Sequence, residues 1–214
     1  MAIDFKKTQK ELYQPKTTPS IVDVPEMTYI MVNGAGDPNT SDSYASALEV
    51  LYGLSYAIKM SKKSDNIPPG YYDFVVPPLE GLWWLEGSDA TDVDFLHKDK
   101  FSWISMIRQP EFVTTEVYEA TVATLAAKKP ELQLSRARLE SFVEGLCAQV
   151  MHLGSYDSEP ETIAALFAFV EASGYQIDLS ETRRHHEIYL GDPRKTAPEK
   201  LKTVIRYPIA LQSK

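Results

Sequence analysis

Twice along the chain the same order of segments recurs, and this recurrence restricts the fold more than any single motif. Ser20 to Gly34 reads as a strand, with Ile21, Val22, Val24, Tyr29, Ile30, Met31 and Val32, and closes at Gly34 and Gly36. A turn through Asp37 to Asp42, with capping side chains at Ser41 or Asp42, leads into a helix from about Ser43 to Ser61. Its Tyr44, Leu48, Leu51, Leu54 and Ile58 fall on one stripe. Extended runs follow at Tyr71 to Val76, Leu82 to Glu86 and Phe101 to Ile107, with an acidic loop from Gly87 to Asp94. After a helix from Thr114 to Lys129 the order begins again. Leu139 to Leu153 is a strand closed by Gly154, a polar turn reaches Pro160, and a helix to Ala172 carries Ile163, Leu166, Phe167 and Val170. Strands at Glu187 to Leu190 and Lys202 to Ile209 complete it.

The expected fold is therefore α+β: pseudo-duplicated strand-helix-strand-strand repeats forming an antiparallel sheet, with helices on one side and a ligand cleft between the halves. Residues 1–19 read as a polar arm and 20–214 as one domain, with repeats at about 20–108 and 139–210. A chain of 214 residues buries roughly 70% of its unfolded surface, enough for a core without staples. An apolar fraction of 43% with 24% charged residues is ordinary for a globular protein, and no apolar run has the length of a membrane span. Residues 1–16 lack the apolar core of an export signal, and Cys147, the only cysteine, has no internal partner; a cytoplasmic location is expected. The net charge of -8 opposes phosphate backbones, so direct nucleic-acid binding is not expected, and a cationic small molecule is modestly favoured.

The residue that most suggests chemistry is Glu187 in His185-His186-Glu187-Ile188-Tyr189-Leu190. Alternation puts Glu187 on one face with Tyr189, opposite Ile188 and Leu190. A carboxylate among rings needs a partner or a task, either meeting a cation or activating a proton donor; an edge strand with Glu187 in solvent is equally allowed. His185 and His186 point to opposite faces and cannot share a metal without distortion, so no metal or cofactor is expected. His97 and His152 read as surface or satisfied polar groups, and Cys147 as an inert core thiol. No Gly-x-Ser-x-Gly elbow or phosphate loop is present. Gly34-Ala35-Gly36 lacks the third glycine of a dinucleotide fingerprint.

Aromatic faces are plentiful, and flat ligands are held by stacking, although rings on strands are usually core. Trp84, Trp103, Tyr71 and Phe167 are the candidate binding rings, with Met106, Phe142 and Met151 as adaptable lining. In Phe101 to Ile107, Trp103 shares a face with Ser105, while Ile104 and Met106 point the other way, toward a helix. Adjacent Trp83 and Trp84 must face opposite sides, so only one can line a cleft.

His186-Glu187-Ile188-Tyr189-Leu190-Gly191-Asp192-Pro193 with the following Arg194 to Thr203, and Tyr72-Asp73-Phe74-Val75-Val76-Pro77-Pro78 with Leu79 to Trp84, resemble two signatures of the GyrI-like small-molecule-binding family. The second is similar to its stand-alone members, and together the resemblance covers Ser20 to the end. It implies two strand-helix-strand-strand repeats around a cleft for hydrophobic, often cationic, drug-like ligands, with Glu187 at its floor. For the stand-alone subfamily it implies hydrolysis of the cyclopropane ring of DNA-alkylating natural products within an aromatic cage. The expected mechanism has Glu187 orienting or deprotonating water, and a donor such as Tyr189 supporting the oxyanion. The alternative is a non-catalytic protein that sequesters a drug, senses an effector or inhibits a partner such as DNA gyrase.

Overall fold

The computed structural model describes residues 2–64, 67–85 and 98–212; the expected acidic loop from Gly87 to Asp94 and His97 lie outside them. Seven strands, β1 (Ser20–Ala35), β2 (Leu79–Leu85), β3 (Phe101–Arg108), β4 (Ala137–Leu153), β5 (Tyr175–Ile177), β6 (His185–Tyr189) and β7 (Lys202–Leu211), alternate with five α-helices: α1 (Phe5–Thr8), α2 (Lys10–Tyr13), α3 (Asp42–Met60), α4 (Thr115–Lys128) and α5 (Glu159–Ala172). All strand pairings are antiparallel and run β4-β1-β3-β2-β6-β7-β5. A further pairing of β4 with β7 closes six strands into a barrel, with β5 added outside on β7. The expected mixture of helices and antiparallel sheet is present, but closure replaces an open sheet and leaves an inner and an outer face.

Local chemistry explains the main boundaries. β1 and β4 end at Gly36 and Gly154, whose φ values of +99° and +140° favour glycine. Ser41 caps α3, its hydroxyl accepting from the Tyr44 amide. Pro160 in the first turn of α5 fits a position where no amide hydrogen bond is lost. The run Tyr71 to Val76, expected as a strand, is not one. Only Phe74 bridges, to Ile3, because Pro68, Pro69, Pro77 and Pro78 on either side cannot extend a ladder.

Helices α3 and α5 cover separate stretches of the outer face. Val50, Leu51, Leu54 and Ile58 of α3 pack on Ile30, Val32, Trp103 and Ile107, while Ile163, Leu166 and Val170 of α5 pack on Val150, Ile205 and Tyr207. The remaining core, including Met27, Met31, Leu82, Met106, Cys147, Ile188 and Val204, forms one cluster that must be the barrel interior, since no 19-residue helix fits inside six strands. Ile104 and Met106, expected against a helix, face this interior; the helix side of β3 belongs to Trp103. The N-terminal segment, polar by composition, sends Phe5, Leu12 and Tyr13 into the same cluster. Among the described residues no helix is long and apolar enough to cross a membrane.

Charges also enter the interior. His186 lies 3.0 Å from Glu80 and 3.1 Å from Glu144, and Arg206 donates to Glu144 at 2.8 Å, to Gln149 and to the Leu12 carbonyl. Tyr13 donates to Glu80, and the Gln149 amide to the Glu11 carbonyl, so the same cluster ties down the N-terminal segment. Burial alone would lower the His186 pKa, but Glu144 and then Glu80 raise it to about 9. Burial would raise that of Glu144, but His186 and Arg206 hold it at about 2. The His186 contribution to stability is whole below its unfolded pKa of 6.5 and is lost as pH rises through about 9. That of Glu144 is whole above 4.5 and is lost as pH falls through about 2. Urea unfolding followed against pH is therefore expected to show the highest midpoint between pH 4.5 and 6.5 and a decline toward pH 9. His186→Gln should flatten the alkaline decline; an unchanged slope would assign it to another group.

Candidate active site

On β6 the alternation expected from sequence separates two environments. His186 and Ile188 face inward; His185, Glu187 and Tyr189 face outward, where the first turns of α3 and α5 come down on the sheet. Glu187 is only 7% exposed. Its Oε1 accepts from His185 Nε2 at 2.8 Å and its Oε2 from the Tyr189 hydroxyl at 2.6 Å. The Tyr189 oxygen in turn accepts from Trp83 Nε1 at 2.9 Å. Each carboxylate oxygen thus has a directed donor, and one donor is itself held by a ring N–H.

Strand register fixes what surrounds this anion. Gly81 pairs with Glu187, Trp83 with His185 and Leu79 with Tyr189, while Gly81 also pairs with Ser105 of β3. Paired residues share a face, so Trp83, Trp103 and Ser105 stand on the Glu187 side. Tyr44 of α3 lies edge-on to Trp103, centroids 5.0 Å apart, and 6.1 Å from Trp83. Tyr156, just before α5, lies edge-on to Tyr189 at 5.8 Å, and Tyr207 of β7 stacks on His185 at 4.4 Å. Glu159, buried at the start of α5, is a second carboxylate close enough to act on Tyr156, Tyr189 and Tyr207.

Both tryptophans lie over glycines. A Cβ at Gly34 would fall 2.2 Å from the Trp103 ring, and one at Gly81 would fall 2.6 Å from Trp83 Nε1. Gly81 therefore leaves the space that lets the indole reach Tyr189. Electrostatics follow from the packing. Burial would push the Glu187 carboxyl up, but the hydrogen bond from His185, then that from Tyr189, holds it below the usual carboxylate range. Burial, and then the Glu187 charge, push Tyr189 far above the ordinary phenol range and Tyr156 up to about 12. The site thus holds an anion among neutral phenols that keep their protons. Among the described residues no group of three or more His, Cys, Asp or Glu side chains is placed to hold a metal ion.

Of the residues singled out from sequence, Glu187, Tyr189 and Trp103 come together here, and Phe167 of α5 packs 4.9 Å from Tyr207, one ring removed. Trp84 points to the opposite face from Glu187 and carries the Arg184 guanidinium 4.7 Å above its ring. Met106, Phe142 and Met151 lie in or against the interior cluster. Tyr71 packs on Phe112 at 5.1 Å and donates to the Lys59 carbonyl, under the far end of α3. His152 is a satisfied polar group, bonded to Thr162 and the Ser155 carbonyl. Cys147 is buried, and burial pushes its thiol well above the ordinary range. Of the pair Trp83 and Trp84, of which only one could face the site, it is Trp83; His185, Tyr44, Tyr156, Glu159 and Tyr207 were not among the residues singled out. Only His185 carried a local signal, sitting two residues before Glu187.

An antiparallel barrel with helices over its outer face and a buried carboxylate boxed by aromatic rings defines a domain built to receive a small organic molecule. The chain belongs to the GyrI-like small molecule binding domain family, whose profile matches residues 17–210. It is similar to an uncharacterized conserved protein from Listeria innocua at 47% identity and TM-score 0.92, covering 97% of this chain and 100% of that one. A hydrolase from Listeria innocua is similar at 44% identity and TM-score 0.89, again over 97% and 100%. The C-terminal domain of EcmrR, at 12% identity and TM-score 0.52 over 91% and 98%, shares the fold alone. No curated protein matches the chain.

Replacing Gly81 by Ala should displace the Trp83 indole and break its bond to Tyr189, lowering stability by about 1–3 kcal/mol, as overpacking does. Urea unfolding combined with tryptophan emission reads both effects. Wild-type behaviour in both would contradict the placement of Trp83 over Gly81.

Proposed function

We propose that this chain binds a flat, hydrophobic or cationic small molecule against Tyr44, Tyr156 and the edge of Trp83, with Trp103 backing Tyr44 from the core, and hydrolyses an activated cyclopropane ring held beside Glu187, in the manner of an enzyme that detoxifies DNA-alkylating compounds. The observation that carries this reading is the buried carboxylate with a phenol donating to it at 2.6 Å. The similar Listeria innocua protein described as a hydrolase supports the choice of reaction class. Rings around an anion suit a cation as well, which gains about 0.5–2 kcal/mol from each well-placed face.

The reaction follows from these groups. Water attacks the ring carbon, the strained carbon–carbon bond breaks, and its electron pair moves to the conjugated carbonyl oxygen. Glu187 takes the proton that water gives up. Once protonated, Glu187 can donate to the Tyr189 oxygen, freeing the phenol proton for the oxygen on which charge develops. Trp83 holds that phenol in line throughout. By this relay the water's proton reaches the product oxygen through Glu187 and Tyr189, so both side chains are restored and one water has been consumed.

We also read the strand pairing as the trace of an internal repeat. Exchanging β1, β2 and β3 for β4, β6 and β7 leaves the pairing order unchanged, and setting Gly36 on Gly154 brings Gly81 onto Glu187 and Trp83 onto Tyr189. On this reading one half supplies the acid and the other the space beside it.

Incubation with a spirocyclopropyl dienone alkylator, followed by product mass over time, is the test. The product should gain the mass of water, and Glu187→Gln should slow turnover about a hundredfold or more while leaving binding largely intact. Stoichiometric retention of unaltered compound would establish a sequestering protein instead, and an adduct in the intact-protein mass would identify a nucleophile.

A further inference from the structure

We propose that His185 is a positioning residue that acts through Glu187, its Nε2–H fixing the carboxylate in its buried seat and keeping it charged for the ligand or for water. This inference rests on the reading of Glu187 as the working anion and assigns its control to a neighbour outside the ligand's own contacts.

The imidazole is fully enclosed, at 1% exposure, and makes one side-chain hydrogen bond, to Glu187 Oε1. Its other ring nitrogen, Nδ1, has no hydrogen-bond partner among the described residues. A buried polar atom without a partner costs about 1–3 kcal/mol, and a leucine would pack there without that cost. The residue is therefore held for what Nε2 does. Tyr207 supports this arrangement: its ring stacks on the imidazole at 25° between planes and fixes the direction of the donor. Tyr189 cannot hold Glu187 alone, because its proton must be released when charge develops on the ligand. His185 has no such second task.

The groups that face Glu187 are few. His185 and Tyr189 come from its own strand, with His186 behind it in the interior; Tyr44 comes from α3, Tyr156 and Glu159 from the start of α5, and Tyr207 from β7. The phenols stay neutral, so His185 is the titratable group that donates to the carboxylate without leaving it. Removing that donor takes away a bond that favours the charged form, so the carboxyl should protonate at higher pH.

The test is a carboxyl-carbon NMR titration of Glu187 in the wild type, His185→Gln and His185→Leu, with binding of tetraphenylphosphonium followed over the same pH range. This probe has no titrating group, so loss of its binding as pH falls reports on the protein. In His185→Leu both midpoints should move up by about one pH unit or more, a tenfold change in proton affinity. Gln keeps an N–H donor but lacks the imidazole's charge interaction with the carboxylate, so His185→Gln should shift less than His185→Leu. Wild-type midpoints in His185→Leu would overturn the proposal, as would His185→Gln shifting as far as His185→Leu. A wild-type Glu187 midpoint at or above the ordinary carboxylate range would overturn it together with the reading of a resident anion. Failure of the wild type to open the alkylator, with the expected midpoints, would count against hydrolysis while supporting the role of His185.

Discussion

The pairing of β2 with β6 is the contact on which the rest depends. It joins strands from the two halves of the chain, and with the β4–β7 pairing it turns a sheet into a barrel. The same few rungs place Glu80 beside His186 on the inside and Gly81 beside Glu187 on the outside. Without this seam Glu80 would not meet His186, and the Trp83 indole would not reach the Tyr189 hydroxyl.

Two ionic groupings back to back on one strand are expensive to bury, so their construction matters more than their number. Inside, two carboxylates are met by His186 and Arg206, and further donors and acceptors come from Gln149, Tyr13 and main-chain carbonyls of the N-terminal segment. That grouping sets each acid beside a base, although Glu80 Oε2 and His186 Nε2, 3.0 Å apart, make no directed hydrogen bond. Outside, Glu187 is met by a histidine and a phenol, and Tyr207 OH, Thr203 Oγ1 and His185 Nδ1 nearby on the same strands have no hydrogen-bond partner among the described residues. Both groupings thus keep buried polar atoms without a directed hydrogen bond, and the inner one also ties the N-terminal segment to the barrel.

Much of this was legible in the residues. The capped helices, the glycine-ended long strands and the α+β composition follow from local chemistry, and the alternation His185, Glu187, Tyr189 already puts three site residues on one face. What could not be read was long-range. Nothing near Trp83 and Trp84 tells which of them pairs with His185, so the choice of Trp84 depended on a register set by residues a hundred positions away. Met106, Phe142 and Met151 are flexible apolar side chains that suit a ligand pocket and a barrel interior equally, and only closure through β4 and β7 decides between them. Tyr44 reads as part of the α3 stripe because it is packed against the core, and Tyr207 is wholly buried and meets the site only through its stack on His185.

The adjacency of His186 and Glu187 also fixes the strand in place. A slip of β6 by one residue would turn His185, Glu187 and Tyr189 inward together, setting a third carboxylate beside Glu80 and Glu144, and would push His186 and the apolar Ile188 out. Like charges so arranged cannot all stay ionised. Electrostatic repulsion therefore adds to the apolar pattern in ratcheting the strand into a single alignment.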